Sequence, residues 1–349
     1  MGRIRPLEEA DIPAIADLRR RLFKSTAQAA PGQLEDYFRR IFLLNPFVDP
    51  ELPSIVYEEG GEPVGFIGVI PRPMLLGRES VRSIVSTQFM VAPAVRGLTA
   101  IQMVKHLFAG RQDLTYVDAS PTAIRKMWVG LGGVTAWAYS LMWEAPVRPS
   151  PMPESSRVRR LGQRLGAALP GQLGRAVTGL VASRGVPVPT EPIEPGAIAD
   201  LAATLIKAPL RPAYHREQLA WVLDVAGGKR SAGPLRCRVV PGEHGHPAGW
   251  FVYRAPAGGA GYVLQLGAAP PEESRVLLAL VQDAWDQGVH TLRGAAEPGM
   301  LSAYDAFGWP VVRRGPWVLV QSKRPEILAA VGRGEAWFSS LDGERWLNF

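Results

Sequence analysis

The chain carries a single cysteine, Cys237, among 349 residues. That excludes an internal disulfide and any zinc site built from several cysteines. No stretch of about 18 or more apolar residues occurs, and the opening segment MGRIRPLEEADIPAIADLRR mixes charge with hydrophobe. Neither a membrane-spanning helix nor a signal peptide is expected, which points to an unprocessed cytoplasmic protein. Histidine is scarce and scattered: His244 and His246 fall in a turn-like segment and His106 on a helix flank, so no metal is expected. Acidic residues are missing altogether between Glu154 and Glu191.

What is present reads as a folded chain. Hydrophobic residues make up 47% and charged residues 20%, a globular composition rather than that of disorder. The length suits two domains of ordinary size. Basic residues outnumber acidic ones 39 to 32, a net charge of +7, which favours a phosphate-bearing partner. No RNP-type aromatic motif, helix-turn-helix signal or zinc spacing accompanies that charge, so nucleic acid is not the expected partner. The excess is mostly arginine in a chain rich in Gly, Ala and Pro, a compositional habit, and a donor carrying several phosphates would also benefit from it.

Residues 1–145 alternate in period. A strand is expected at 4–6 and a helix over 7–23, with apolar spacing at Ile12, Ile15, Leu18 and Leu22. A second helix at 34–44 closes on Asn45-Pro46. Strand patterns at 54–57 and 64–70 flank the turn signal EEGGEP and read as a hairpin. A strand at 81–91, a helix at 99–108, a strand at 114–118, a helix at 121–131 and a strand at 135–143 complete one mixed-sheet α/β unit. Residues 146–195 form a connector rich in proline. Within it RVRRLGQRLGAAL, residues 157–169, has the pattern of a basic amphipathic helix. Such a helix either makes weak peripheral contact with an anionic membrane or packs on the body with its arginines in water.

Residues 196–349 repeat the first part in weakened form. GEPVGFIGVIP around Gly65 returns as GHPAGWFVYRAP around Gly249, and VSTQFMVAP at 85–93 as YVLQLGAAP at 262–270. In the latter pair the glutamine, Gln88 or Gln265, stands five places before the proline. MWVGLGG around Trp128 returns as AYDAFGW around Tyr304. Three anchors in one order imply an internal duplication, with the two strands at 85–91 and 262–267 central in their sheets.

The segment FMVAPAVRGLTAIQMVKHLF, residues 89–108, carries the strongest chemical signal. A strand ends at Val91-Ala92-Pro93, turns through Arg96-Gly97-Leu98 and enters a helix near Thr99. A glycine turn at a helix start leaves backbone N–H groups convergent on the positive end of the helix dipole, a site suited to a pyrophosphate. Any strand-turn-helix junction also favours glycine.

This segment resembles the phosphate loop of the GNAT (Gcn5-related N-acetyltransferase) superfamily, a strand, a proline and then Q/R-x-x-G-x-G/A opening a helix. The element order of residues 3–143 is similar to that family's throughout, and 196–322 more faintly. The resemblance implies two GNAT-like mixed-sheet domains in tandem, the second degenerate, with acetyl-CoA or another acyl-CoA as co-substrate and a small-molecule amine as acceptor. The amine would belong to an amino sugar, an amino acid or a natural-product intermediate, with a hydroxyl as a further option. Carried over by position, Arg96, Gly97, Leu98, Thr99, Ala100 and Ile101 would meet the pyrophosphate, and the backbone of Phe89, Met90 and Val91 the pantetheine amides.

Departures are visible as well. Thr99 and Ile101 stand where the family prefers small residues, and their bulk would narrow the space near the pyrophosphate. Trp128 occupies the place of the tyrosine acid. Ser86, Thr87 and Gln88 occupy the strand where many members keep a glutamate base. Asp118, at the end of the next strand, and Gln88 are the candidate catalytic pair, Asp118 being equally suited to cap the following helix. The second copy is acidic where phosphates would lie (PEES at 271–274), though Tyr304 keeps the aromatic position. It reads as a wall of the acceptor cleft, as in two-domain members such as mycothiol synthase and N-myristoyltransferase. Two other readings stay open: a non-catalytic GNAT-like binding or scaffold protein, favoured by Thr99, Ile101 and Trp128, and an aminoacyl- or acyl-carrier-dependent transferase.

Overall fold

The computed structural model describes residues 2–26, 29–148, 186–228, 232–242, 245–313 and 315–347. The 157–169 segment and His244 lie outside the described residues.

In the first half the chain forms β1 (Arg3–Pro6), α1 (Ile12–Leu22), α2 (Gln33–Phe42), β2 (Ile55–Glu59) and β3 (Glu62–Pro71). It continues with β4 (Met74–Leu76), β5 (Glu79–Val81), β6 (Ser83–Val91), α3 (Leu98–Ala109), β7 (Leu114–Ser120), α4 (Thr122–Gly130), β8 (Val134–Thr135) and β9 (Met142–Pro146). The second half gives β10 (Glu191–Pro192), α5 (Pro195–Leu205), β11 (Leu210–Pro212), α6 (Arg216–Gly227), β12 (Leu235–Pro241), β13 (Pro247–Arg254) and β14 (Ala260–Ala268). Then follow α7 (Glu273–Asp286), β15 (Thr291–Ala295), α8 (Leu301–Ala306), β16 (Val311–Val312), β17 (Trp317–Ser322) and α9 (Pro325–Gly332).

These strands make two seven-stranded sheets, ordered β1-β2-β3-β6-β7-β17-β8 and β10-β12-β13-β14-β15-β9-β16. The duplication is visible in the order itself: β6 and β14 each stand fourth, antiparallel to the strand before and parallel to the strand after. Gly132 and Gly308, four places after Trp128 and Tyr304, both take positive φ, 95° and 66°, the left-handed conformation that ends a helix. The sixth strand of each sheet, however, comes from the other half. β17 lies between β7 and β8, and β9 between β15 and β16.

Two expected strands differ for identifiable reasons. The single strand at 135–143 is split, because a 3₁₀ turn at Ala138–Ser140 carries the chain from the first sheet into the second. The strand at 81–91 is broken at Arg82, whose backbone N–H donates to Asp113 Oδ2 at 2.9 Å. The β4–β5 hairpin before the break instead joins β11 in a small sheet that spans both halves.

One core belongs to both halves. It joins α1 and α2 (Ile12, Leu18, Phe38), α5 and α6 (Ile198, Leu223), faces of both sheets (Val85, Tyr116, Trp250, Leu264) and the end of the chain (Phe338, Leu341, Trp346, Leu347). Two further clusters lie on the outer faces, one under α3 and α4 and one under α7 and α8. The closing residues 336–347 thus run through the shared core. Tyr116 donates its hydroxyl to Asp342 O at 2.7 Å and Arg72 reaches Leu341 O at 2.8 Å.

Candidate active site

Strands β6 and β7 pair only through Ser83–Val85 and Leu114–Tyr116 and then diverge. The divergence leaves a fork between the two strands, and residues 343–345 enter it. Gly343 passes so close to Asp118 that a Cβ there would fall 2.1 Å from the carboxylate carbon; glycine is needed for the approach. The Glu344 N–H donates to Asp118 Oδ1 at 2.7 Å, and Arg345 donates to the Asp118 carbonyl at 3.0 and 2.7 Å. Arg345 also reaches the Tyr262 hydroxyl on β14 at 2.6 Å, so one side chain ties the two sheets together.

Glu344 stands at the crotch of the fork. Thr87 Oγ1 on β6 donates to its Oε2 at 2.5 Å, and the Ala119 N–H on β7 donates from the other side. Burial, with the nearby Asp118 charge adding to it, pushes its carboxyl from 4.5 up to about 8. Asp118, only 5% exposed, is also raised by burial, against the pull of Arg345.

Above the fork lies a cavity of about 930 Å3 between the halves, lined by Arg19, Gln88 and Ala119 from the first half, Tyr262 and Arg293 from the second, and Glu344. Gln88 is in a left-handed conformation, φ 52°, at a register shift between β3 and β6. This bulge re-aims its side chain, whose Oε1 accepts from Arg19 and whose Nε2 lies 3.3 Å from the Tyr37 hydroxyl.

On the candidate catalytic residues, the structure brings Gln88 to the cavity and places Asp118 one residue away from its wall, bound to the chain end. Asp118 does not cap α4, which starts without a side-chain cap. Trp128 is 2% exposed and packs edge-on against Phe108 in the outer core. Tyr304 is buried, stacked on Trp143 with ring centroids 5.4 Å apart. Ser86 is buried in β6.

The phosphate-loop candidates lie at the far end of β6. Gly97 (φ 105°, ψ −102°) leads into α3, and the first N–H of that turn to find a backbone carbonyl among the described residues is that of Ile101, on Gly97 O at 3.2 Å. The amides of Leu98, Thr99 and Ala100 precede it at the positive end of the helix. Thr99 is 7% exposed, its side chain turned into the body, while Leu98 is 76% exposed. The expected crowding by Thr99 therefore does not arise on the open side. Phe89 and Ala100 pack at the margin of the outer core, while Met90 and Val91 are buried. Arg96 is exposed.

Arg19 and Glu344 were not singled out in the sequence. Arg19 had a usable signal: it follows Ile12, Ile15 and Ala16 at helical spacing and so belongs to the buried face of α1. Glu344 had none beyond the apolar residues around it.

No family model matches the chain, and no curated protein matches it. Solved structures do. A protein of Enterococcus faecalis described as a probable N-acyltransferase superposes with a TM-score of 0.61 at 12% identity, over 92% of this chain and 73% of that one. GCN5-related N-acetyltransferases of Anabaena variabilis (TM-score 0.60, 12% identity, 93% and 74% covered) and Kribbella flavida (0.57, 14%, 92% and 72%) are similar to the same extent. No helix among the described residues is long and apolar enough to cross a membrane. With a likeness that spans both sheets, and two sheets of matching strand order, the chain has the fold of the GCN5-related N-acetyltransferases, laid down twice.

Proposed function

We propose that this protein transfers an acyl group from acyl-CoA to an amine held in the cavity between its halves, in a site formed by the first sheet. The observation that carries this reading is Glu344, a carboxylate held by both arms of the β6–β7 fork and facing the cavity. The fold likeness supports the same reaction class.

The donor's pyrophosphate would rest on the amides of residues 96–101, with Arg96 adding charge. Its pantetheine arm would follow the backbone of Phe89–Val91 and bring the thioester into the fork. An ammonium entering the cavity gives one proton to Glu344. The freed nitrogen lone pair attacks the thioester carbonyl, forming the C–N bond, and the C–S pair leaves with sulfur. The second nitrogen proton goes to the departing thiolate, while Glu344 returns its proton to water. A carboxylate with a pKa of about 8 is a far better acceptor for an ammonium proton than an ordinary one. Here Asp118 acts as a positioning residue, fixing Glu344 through its backbone N–H, and Gln88 holds Arg19.

Calorimetric titration with acetyl-CoA, longer acyl-CoAs and free CoA tests the donor. At about 100 times the dissociation constant, a donor stabilises the fold by roughly 2.7 kcal/mol. Absence of binding by every CoA species would sink the reading. Binding without thiol release over a broad amine panel would favour a binding protein instead.

A further inference from the structure

The cavity contains a buried cation, Arg19, 8% exposed, that makes no ion pair among the described residues. Its Nε is buried without a hydrogen-bond partner among the described residues, and its guanidinium lies 4.9 Å from the Phe23 ring centre. Burial lowers its pKa, and the pull of Tyr37 and Glu344 offsets that only in part. An arginine in that state costs stability unless an anion completes it.

Position defines the anion further. Arg19 is anchored to Gln88 and Glu344 to Thr87, neighbouring residues of one strand whose Cα atoms are about 3.8 Å apart. With Gln88 in its left-handed turn, Arg19 and Glu344 both line the cavity. Glu344 is near enough for its charge to act on Arg19 without an ion pair between them. A short ligand carrying a negative group beside a positive one matches the charges of the two. Among the described residues the cavity wall carries Arg19, Arg254 and Arg293, together with Arg345 paired to Asp118, against Glu144 and Glu344, which disfavours a purely cationic amine.

We infer that the acceptor is a free amino acid, its carboxylate on Arg19 and its amino group at Glu344. This rests on the acyl-transfer reading for what happens to the amine, but not for binding. The guanidinium fork supplies paired donors to a carboxylate, and the Gln88 amide holds that fork in place. An amine of the same shape without the carboxylate leaves Arg19 buried and unpaired.

The test uses the full chain and a pool of the common amino acids, each matched with its decarboxylated amine. Binding is read by ligand-observed NMR without donor, and acylation by thiol release with acetyl-CoA. At least one amino acid is expected to bind, with its matched amine weaker by about 10- to 100-fold, as for loss of a charge-assisted hydrogen-bond pair. In Arg19→Met that ratio collapses to within a few-fold. In Arg19→Lys, which keeps a point charge but not the fork, part of it returns. Equal binding of amines and amino acids, binding by no amino acid at millimolar concentration, or a ratio unchanged in Arg19→Met while Arg19→Lys folds normally would each overturn the inference. Amino-acid binding that depends on Arg19 but releases no thiol would leave it standing and sink acyl transfer. Acylation of amines without preference for a carboxylate would do the reverse.

Discussion

The two central strands, β6 and β14, began as copies and now do opposite things. Both stand fourth of seven, and both part from their parallel neighbour after a short stretch. On β6 the glutamine, Gln88, is twisted into a left-handed conformation and faces a cavity beside Arg19. On β14 the matching Gln265 is 1% exposed and saturated: its Oε1 accepts from Trp250 Nε1 at 2.9 Å, and its Nε2 donates to the Tyr214 hydroxyl at 2.6 Å. The Trp250 ring packs so closely on Gly267 that a Cβ there would meet it at 2.2 Å. The helices that follow differ likewise, α3 opening on Gly97 and α7 on Glu272 and Glu273. One copy keeps strain, unpaired charge and space; the other has filled the same place with aromatic and amide groups. The contrast is the one expected between a candidate site and its support.

The comparison breaks most severely if the halves are separated. A fragment ending at residue 145 keeps β6 but loses β17, the partner of β7, and residues 336–347 of the shared core. It is expected not to fold, as read by circular dichroism and aggregation; a soluble, cooperatively unfolding fragment would show that the exchanged strands are dispensable.

Within the intact chain, Glu344→Gln is expected to lower kcat/KM for acyl transfer about 100- to 10,000-fold. The wild-type rate should rise with pH toward about 8 and level above it, and the variant should lose that limb. Stability moves the other way. Because the fold raises this pKa from 4.5 to about 8, the contribution is full below the ordinary pKa and is lost as pH rises through the folded value. Thermal unfolding should therefore show Glu344→Gln gaining on the wild type as pH increases across that window. Asp118 shifts in the same sense but remains in both proteins.

Gln265→Ala and Gln88→Ala sharpen the contrast between the strands. The first leaves Trp250 Nε1 and its neighbours without partners and should cost about 1 to 3 kcal/mol in unfolding, with unchanged kinetics. The second should change stability less, because it leaves a cavity wall, and should mainly raise the acceptor's KM. Equal effects of the two on both measurements would erase the distinction.

The smallest effect concerns the loop. Gly97 is a poor probe, since its φ and ψ suit glycine alone and any side chain would strain the backbone by about 1 to 3 kcal/mol. Leu98 is exposed in ordinary helical geometry. Leu98→Glu should weaken CoA binding about tenfold through charge repulsion with no loss of thermal stability, measured by calorimetry and melting. Unchanged affinity would move the donor away from α3.

The sequence by itself determined what local chemistry can encode: strand and helix periods, the duplication marked by Gln88 and Gln265, and the glycine turn before α3. It also carried Arg19 on the buried face of its helix, legible from spacing though not from composition. Only the tertiary structure decided how the halves share strands and a core, and that Glu344 rather than Asp118 faces the cavity. The contact between Thr87 and Glu344 spans 257 positions and that between Asp118 and Glu344 spans 226. Periodicity reports which face of an element is buried and says nothing about which distant segment will bury it. The candidate site lies at such a meeting, where a strand fork of the first half is closed by residues 343–345 of the second.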